Sequence, residues 1–171
     1  MKKRKGLFAV VIVFVVLVVD LYLFGPQILA VIQETSRGFH LDVHGVRFHT
    51  PMFYTSSTGD AYDVYHFVTV PSPTRHKNSK ITVDFKKQPP ALDQPLSQEG
   101  MTYLGLRLIG ERTATLAGRS GSCLEYETPV QFVQINCRFA SDLHARFFGS
   151  PNTVEEFYTF MNRAEVLSRN N

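Results

Sequence analysis

The stretch FVQINCRFASDLHARFFGSPNTVEEFYTFMNRA, residues 132–164, changes its hydrophobic period once, and that change decides the fold. Val133, Ile135, Cys137 and Phe139 alternate with Gln134, Asn136 and Arg138, the period of two that sends successive side chains to opposite faces of a strand. Leu143 to Phe148 reads as one more short strand before Gly149. The spacing then becomes helical. Val154, Phe157, Tyr158, Met161 and Ala164 fall at i, i+3, i+4, i+7 and i+10, an apolar stripe that must pack on a sheet. Ser150 followed by Pro151 reads as an N-cap with proline at the first helical position, and Glu155 and Glu156 complement the positive end of the helix dipole.

Working back from this stretch, more strands follow. Leu104, Leu106 and Leu108 alternate into Glu111 to Leu116, a turn at Gly118 leads to a strand over Ser122 to Thr128, and Pro129 turns it into Phe132 to Ala140, which makes a meander. Phe39, Leu41 and Val43 alternate with His40, Asp42 and His44, break at Gly45, and resume with Val46 and Phe48 before Pro51. Tyr62 to Val70 is apolar or aromatic on both parities, which predicts a central strand covered on both faces. Lys80 to Lys86 alternates with Ile81, Val83 and Phe85 on one side, which predicts one wet face. The segment Pro71 to Ser79, with Arg75, His76 and Lys77, reads as a solvated hairpin loop, and Gln88 to Gln98, with Pro89, Pro90 and Pro95, as a surface loop. Strands followed by a helix give an α+β domain: a twisted, mainly antiparallel sheet of about six strands with the C-terminal helix packed on it.

In front of this domain lies an apolar run. Leu7 to Phe24 follows the basic cluster Lys2, Lys3, Arg4 and Lys5, and its 18 residues make roughly 27 Å of helix, close to a bilayer's hydrocarbon thickness. The next basic residue is Arg37, so the charge asymmetry predicts a cytoplasmic N-terminus and an outward-facing remainder. The chain divides into a basic tail over 1–6, a transmembrane signal-anchor helix over 7–32 and an extracytoplasmic domain over 38–171, a single-pass protein of the cell membrane. A cleaved signal peptide has the same layout and would leave a soluble secreted product, but its apolar run is usually shorter, and here Ala30 with Ile28 at −3 makes a poor cleavage site. Asp20 interrupts the run, and at mid-bilayer a carboxylate costs on the order of 3 kcal/mol unless it is protonated, paired or near the interface. If the helix ends at Phe24, Asp20 reaches headgroups; if it continues through Gly25 and Pro26 to Ile32, Asp20 needs a basic or polar partner from another helix.

The net charge of +3 belongs to the tail. The first 32 residues hold four of the 18 Lys and Arg and one of the 15 Asp and Glu, so the rest of the chain carries 14 of each. A balanced domain has no global field for polyanions, and nucleic acid is not expected as a partner. The partners expected are the lipid bilayer and a protein not identifiable from the chain.

Two cysteines in an oxidising compartment favour a bridge. A turn centred on Val130 sets Cys123 directly opposite Cys137, but then Leu124 and Tyr126 share a face with Gln134 and Asn136. A shift by one residue gathers Leu124 and Tyr126 with Val133, Ile135, Cys137 and Phe139 and sends Cys123 to the other side. Both the disulfide and two unpaired thiols fit the sequence.

Catalytic signals are thin. His40, Asp42 and His44 share one strand face, with His49 nearby, and offer nitrogen and oxygen ligands for a metal-dependent enzyme, yet no H-E-x-x-H or C-x-x-C spacing accompanies them. Gly118, Arg119, Ser120 and Gly121 lack one residue of a nucleophile elbow and read as a turn. Glu125 and Glu127 imitate a carboxylate pair but match the wet side of any strand. No catalytic residue and no cofactor is expected.

Val46 to Phe53, Leu116 to Glu127 with its glycine turn and L-E-Y strand, and Arg146 to Met161 together give the chain a pattern that resembles the PsbP-like and Mog1-like group of small α/β domains, over most of residues 40–165. The resemblance implies a twisted antiparallel sheet with a long C-terminal helix and an accessory or binding role without catalytic residues.

Overall fold

A computed structural model describes residues 2–36, 38–52, 54–58, 63–70, 79–85 and 98–167. Most of the Pro71 to Ser79 loop, the proline-rich stretch up to Ser97, and Phe53, Tyr62 and Lys86 lie outside the described residues. In chain order the elements are α1 (Lys2–Ser36), β1 (His40–Val43), β2 (Val46–His49), β3 (Tyr54–Thr58), β4 (Val64–Thr69), β5 (Lys80–Asp84), α2 (Gln98–Leu104), β6 (Arg107–Leu116), β7 (Arg119–Glu127), β8 (Val133–Ala140), β9 (Leu143–Gly149), α3 (Val154–Asn162) and β10 (Glu165–Val166). The domain is α+β, with two antiparallel sheets and a C-terminal helix.

The apolar N-terminal run is one helix that does not stop at Phe24. α1 passes through Gly25 and Pro26 to Ser36, beyond the limit at Ile32 that the sequence suggests. Proline costs one backbone hydrogen bond inside a helix, while Leu21, Leu23, Gln27, Leu29 and Ala30 on either side of it are good helix formers. The last turns pack on β3. Ala30 is buried there, and Glu34, only 1 % exposed, accepts hydrogen bonds at Oε1 from the Ser56 backbone N–H (3.2 Å) and hydroxyl (3.4 Å). β3 is an edge strand, and an edge N–H capped this way is withdrawn from stray strand pairing.

The segment read as one interrupted strand is a hairpin. His44 and Gly45 both have positive φ (49° and 75°), the backbone of a two-residue type I′ turn, so β1 folds back on β2 with His40 opposite His49 and Asp42 opposite Arg47. β10 pairs with the other edge of β2, giving a small sheet of order β1-β2-β10.

The large sheet has seven strands in the order β3-β4-β5-β9-β8-β7-β6. Its second half is the meander that the alternation predicts, with β6 and β7 joined by the positive-φ pair Ala117 and Gly118. Three local expectations are corrected. β4 is not central: it stands next to the β3 edge, and Val64, His66 and Val68 face a half-open side. β5, expected to have a wet face, buries Thr82 and Asp84 because it lies between β4 and β9 and Arg146 of β9 closes over Asp84, with Nη2 donating to Oδ2 at 2.7 Å. Leu104, expected in a strand, ends α2, and β6 starts only at Arg107.

α3 follows a 3-10 turn over Pro151–Thr153. Ser150 is the N-cap of that turn with proline just inside it, as the sequence predicts, but its side chain makes no capping hydrogen bond; instead the Thr153 hydroxyl donates to the Ser150 carbonyl at 2.8 Å. Val154, Phe157, Tyr158, Phe160 and Met161 are buried. Phe157 packs on Phe147 of the large sheet (ring centroids 5.3 Å apart), whereas Phe160 meets Phe67 of the large sheet (4.6 Å) and Phe48 of the small one (5.6 Å). α3 is therefore wedged between the two sheets and joins their cores into one cluster.

Candidate functional site: a cleft beside the C-terminal helix

The outer side of α3 and the chain leaving β2 bound an open cleft of about 420 Å³, within the range of small-molecule and side-chain sites. Pro51, Met52 and Phe160 supply its apolar surface; Glu155, Glu156 and Arg163 supply charge, and His49 an imidazole. The floor includes Thr50, a buried residue whose hydroxyl has no hydrogen-bond partner among the described residues. One wall is tied to the end of α1, because the Thr50 N–H donates to the Phe39 carbonyl (2.9 Å) and the Phe39 N–H to the Glu34 carbonyl (2.8 Å). The acidic side is held in place by the fold: the Tyr54 hydroxyl donates to Glu156 Oε2 at 3.3 Å, and His49 Nε2 lies 3.4 Å from Glu165 Oε1.

Glu155 links the cleft to a charged network beneath α3. Arg112 Nη1 donates to Glu155 Oε1 at 2.8 Å, its Nε lies 2.9 Å from Oε1 of buried Glu125, and the guanidinium stands 5.1 Å over the Tyr158 ring. The Tyr158 hydroxyl donates to the same Glu125 oxygen at 2.6 Å. The hydrogen bond to Glu155, then the charge of Glu125, raises the Arg112 pKa above its ordinary value. Burial, then the hydrogen bond to Glu125, raises that of the Tyr158 phenol. This tyrosine is a fixed donor, and the network clamps α3 to β6 and β7. The sign of its pH dependence follows from the raised pKa. Below the ordinary tyrosine pKa near 10 both folded and unfolded phenols are protonated and the contribution is complete; above it the unfolded phenol ionises first, and stability falls as pH rises. Tyr158→Phe is expected to cost about 1.5–3 kcal/mol at neutral pH through the lost bond to a carboxylate, and to show a shallower decline above pH 10 than the parent in denaturant midpoints.

The histidine-rich strand is dispersed by the hairpin. His40 Nδ1 lies 3.0 Å from the Gly38 carbonyl. Asp42 accepts a bidentate pair from Arg47 (2.8 and 2.7 Å), a hydrogen bond that lowers the carboxyl pKa below its ordinary value. His44 sits in the turn, stacks on Phe85 at 4.6 Å and meets Asp63 at 3.2 Å. Among the described residues no three His, Cys, Asp or Glu side chains form a cluster able to hold a metal. Glu125 and Glu127 stay on one strand but take different partners: Glu125 goes under Tyr158, and Glu127 pairs with Arg107. Of the apparent nucleophile turn, Arg119 to Gly121 already belong to β7.

Cys123 and Cys137 face each other across β7 and β8 and are bonded. The register is the one that places Leu124 and Tyr126 beside Asn136 and Gln134, and Tyr126 is nonetheless 1 % exposed, so the second face of the sheet is covered there. Alkylation without reductant is expected to leave the intact mass unchanged, while prior reduction under denaturing conditions adds two alkyl groups. That second face also holds a shallow groove of about 240 Å³ between His66, Lys80, Gln134, Asn136 and Arg146.

No family model matches the chain, and no curated protein matches it. Among solved structures it is similar to the solution structure of cyanobacterial PsbP (CyanoP) from Synechocystis sp. PCC 6803, at 13 % identity and a TM-score of 0.47, covering 74 % of this chain and 91 % of that one. This is a weak, PsbP-like likeness in fold, and it carries nothing about function. What the structure defines is a class: an α+β domain behind one helix long and apolar enough to cross a membrane.

Proposed function

We propose that the chain is a membrane-anchored, extracytoplasmic accessory domain that binds a protein partner of the cell envelope and does not catalyse a reaction. The observation that carries this reading is the joint between α1 and the domain. An apolar helix whose exposed turns are lipid-compatible ends with Ala30 and Glu34 buried on β3, so the domain would be held at a set height and angle over the bilayer. A domain positioned in this way suits recognition of a neighbour in the same membrane. The cleft beside α3 offers the seat: an apolar floor with Met52 and Phe160, and a rim of Glu155, Glu156 and Arg163 that would select a polar or cationic side chain. Glu125, Arg112 and Tyr158 are committed to one another, which favours support of α3 over acid and base work.

The test uses the full chain in its own membranes. Alkaline carbonate is expected to leave it in the pellet, and its intact mass is expected to include the Leu7 to Phe24 segment. Release of a product that begins near Val31 would make the segment a signal peptide and the domain a soluble secreted protein.

A further inference from the structure

α1 carries three polar side chains at heptad spacing: Asp20, Gln27 and Glu34. Seven residues of an α-helix return to within about 20° of their start while rising about 10 Å, so the three stand in one line. The upper end of that line is fixed by the domain, where Glu34 is buried against Ser56. The lower end is Asp20, exposed, and the sole charged residue between Lys5 and Glu34.

Insertion as proposed above would set the depth of Asp20. The cluster Lys2 to Lys5 holds one boundary near Gly6, and a hydrocarbon core takes about 20 helical residues, which ends near Pro26; the burial of Ala30 and Glu34 keeps the following turns in the domain. Asp20 then lies six residues, about 9 Å, inside the nearer boundary, beyond the reach of so short a side chain. A charge at that depth needs a partner. A second copy of the chain would set Asp20 against Asp20, and the domain stops above it.

We infer that Asp20 pairs with a lysine or arginine in the transmembrane helix of a second protein, and that the line Val13, Val16, Asp20, Phe24 and Gln27 is the face on which that helix docks. The inference rests on the proposed insertion of α1 and adds to it the chemistry and position of the partner. The β-branched Val13 and Val16 give this line a compact lower half on which a neighbouring helix can pack, and the ion pair fixes its depth and rotation.

Two aromatic positions give the test. Phe24 lies about 40° from Asp20 around the helix and Tyr22 about 160° from it; they are 38 % and 84 % exposed. Each is replaced in the full chain by the photocrosslinker benzoylphenylalanine and irradiated in native membranes. A heterologous adduct is expected from position 24 and not from position 22, and its partner carries a lysine or arginine within its membrane span. Asp20→Leu is expected to lower the adduct roughly three- to tenfold, Asp20→Glu to retain it, and Asp20→Lys to recover it when the partner's basic residue is changed to aspartate. Equal adducts from both positions, a yield unmoved by Asp20→Leu, an adduct of twice the chain's mass, or a partner with no basic residue in its span would overturn the inference. So would the absence of any adduct from a chain that resists carbonate. Release of the chain by carbonate would overturn the insertion itself.

Discussion

Phe160→Ala is expected to destabilise the domain by about 3–5 kcal/mol, the range for removing a phenyl ring from a packed core. Phe160 is 2 % exposed and holds together surfaces that no backbone pairing joins. Its ring stacks on Phe48 of the small sheet and meets Phe67 of the large sheet edge-on. Truncation leaves a void that neither sheet can collapse into, since both are fixed by their own ladders. The same ring lines the cleft beside Glu156 and Thr159, so the binding proposed for that cleft should fail together with cooperative unfolding. Thermal and denaturant unfolding of Phe160→Ala and Phe160→Leu checks this, with leucine expected to recover part of the loss.

Gly121→Ala is expected to cost about 1–3 kcal/mol or more through overpacking, although it adds only one methyl group. A Cβ at Gly121 would lie 2.2 Å from the Arg138 carbonyl oxygen and 2.6 Å from Phe139 Cδ1. The first is backbone of the neighbouring strand and cannot swing aside. Relief requires β7 and β8 to separate where Ser122 pairs with Arg138, one residue from the Cys123 and Cys137 bridge. The measurement is the denaturant midpoint of the variant with the bridge intact and after reduction. A change within about 0.5 kcal/mol, the level of an ordinary surface substitution, would contradict the close approach.

Much of the fold is legible where one local period dominates. The meander from Arg107 to Gly149 follows from alternation and turn residues, because each strand pairs with its sequence neighbour. Where burial depends on a distant neighbour, the local pattern misleads. Tyr62 to Val70 looks central because Tyr65 and Phe67 are interleaved with Val64 and Val68, yet β3 alone separates β4 from the edge. Lys80 to Asp84 looks half-wet because nothing nearby announces that Arg146 will cover Asp84. Phe160 falls off the predicted stripe for a related reason: a single stripe supposes one neighbour, and α3 has two, so its buried residues spread over an arc of about 160°. β10 is two residues long and visible only through its pairing with β2.

The candidate site is less legible still. Its walls come from residues 49–52 and 155–163, brought together by the hairpin and the wedge of α3. The Glu125, Arg112 and Tyr158 network depends on Arg112 standing opposite Cys123 in the β6 and β7 register, and then on the helix that lands above them. The histidines that the sequence gathers on one strand are separated by a two-residue turn at His44 and Gly45, readable as a hairpin only if both residues take positive φ. The burial of Glu34 seven residues above Gln27 carries no sequence signal beyond the heptad itself.

Protease added to sealed cells with an opened outer layer shows directly whether α1 tethers this domain outside the cytoplasm. The domain is expected to be cut away while a fragment containing Leu7 to Phe24 stays in the membrane. A domain that survives until the membrane itself is broken would contradict that tethering.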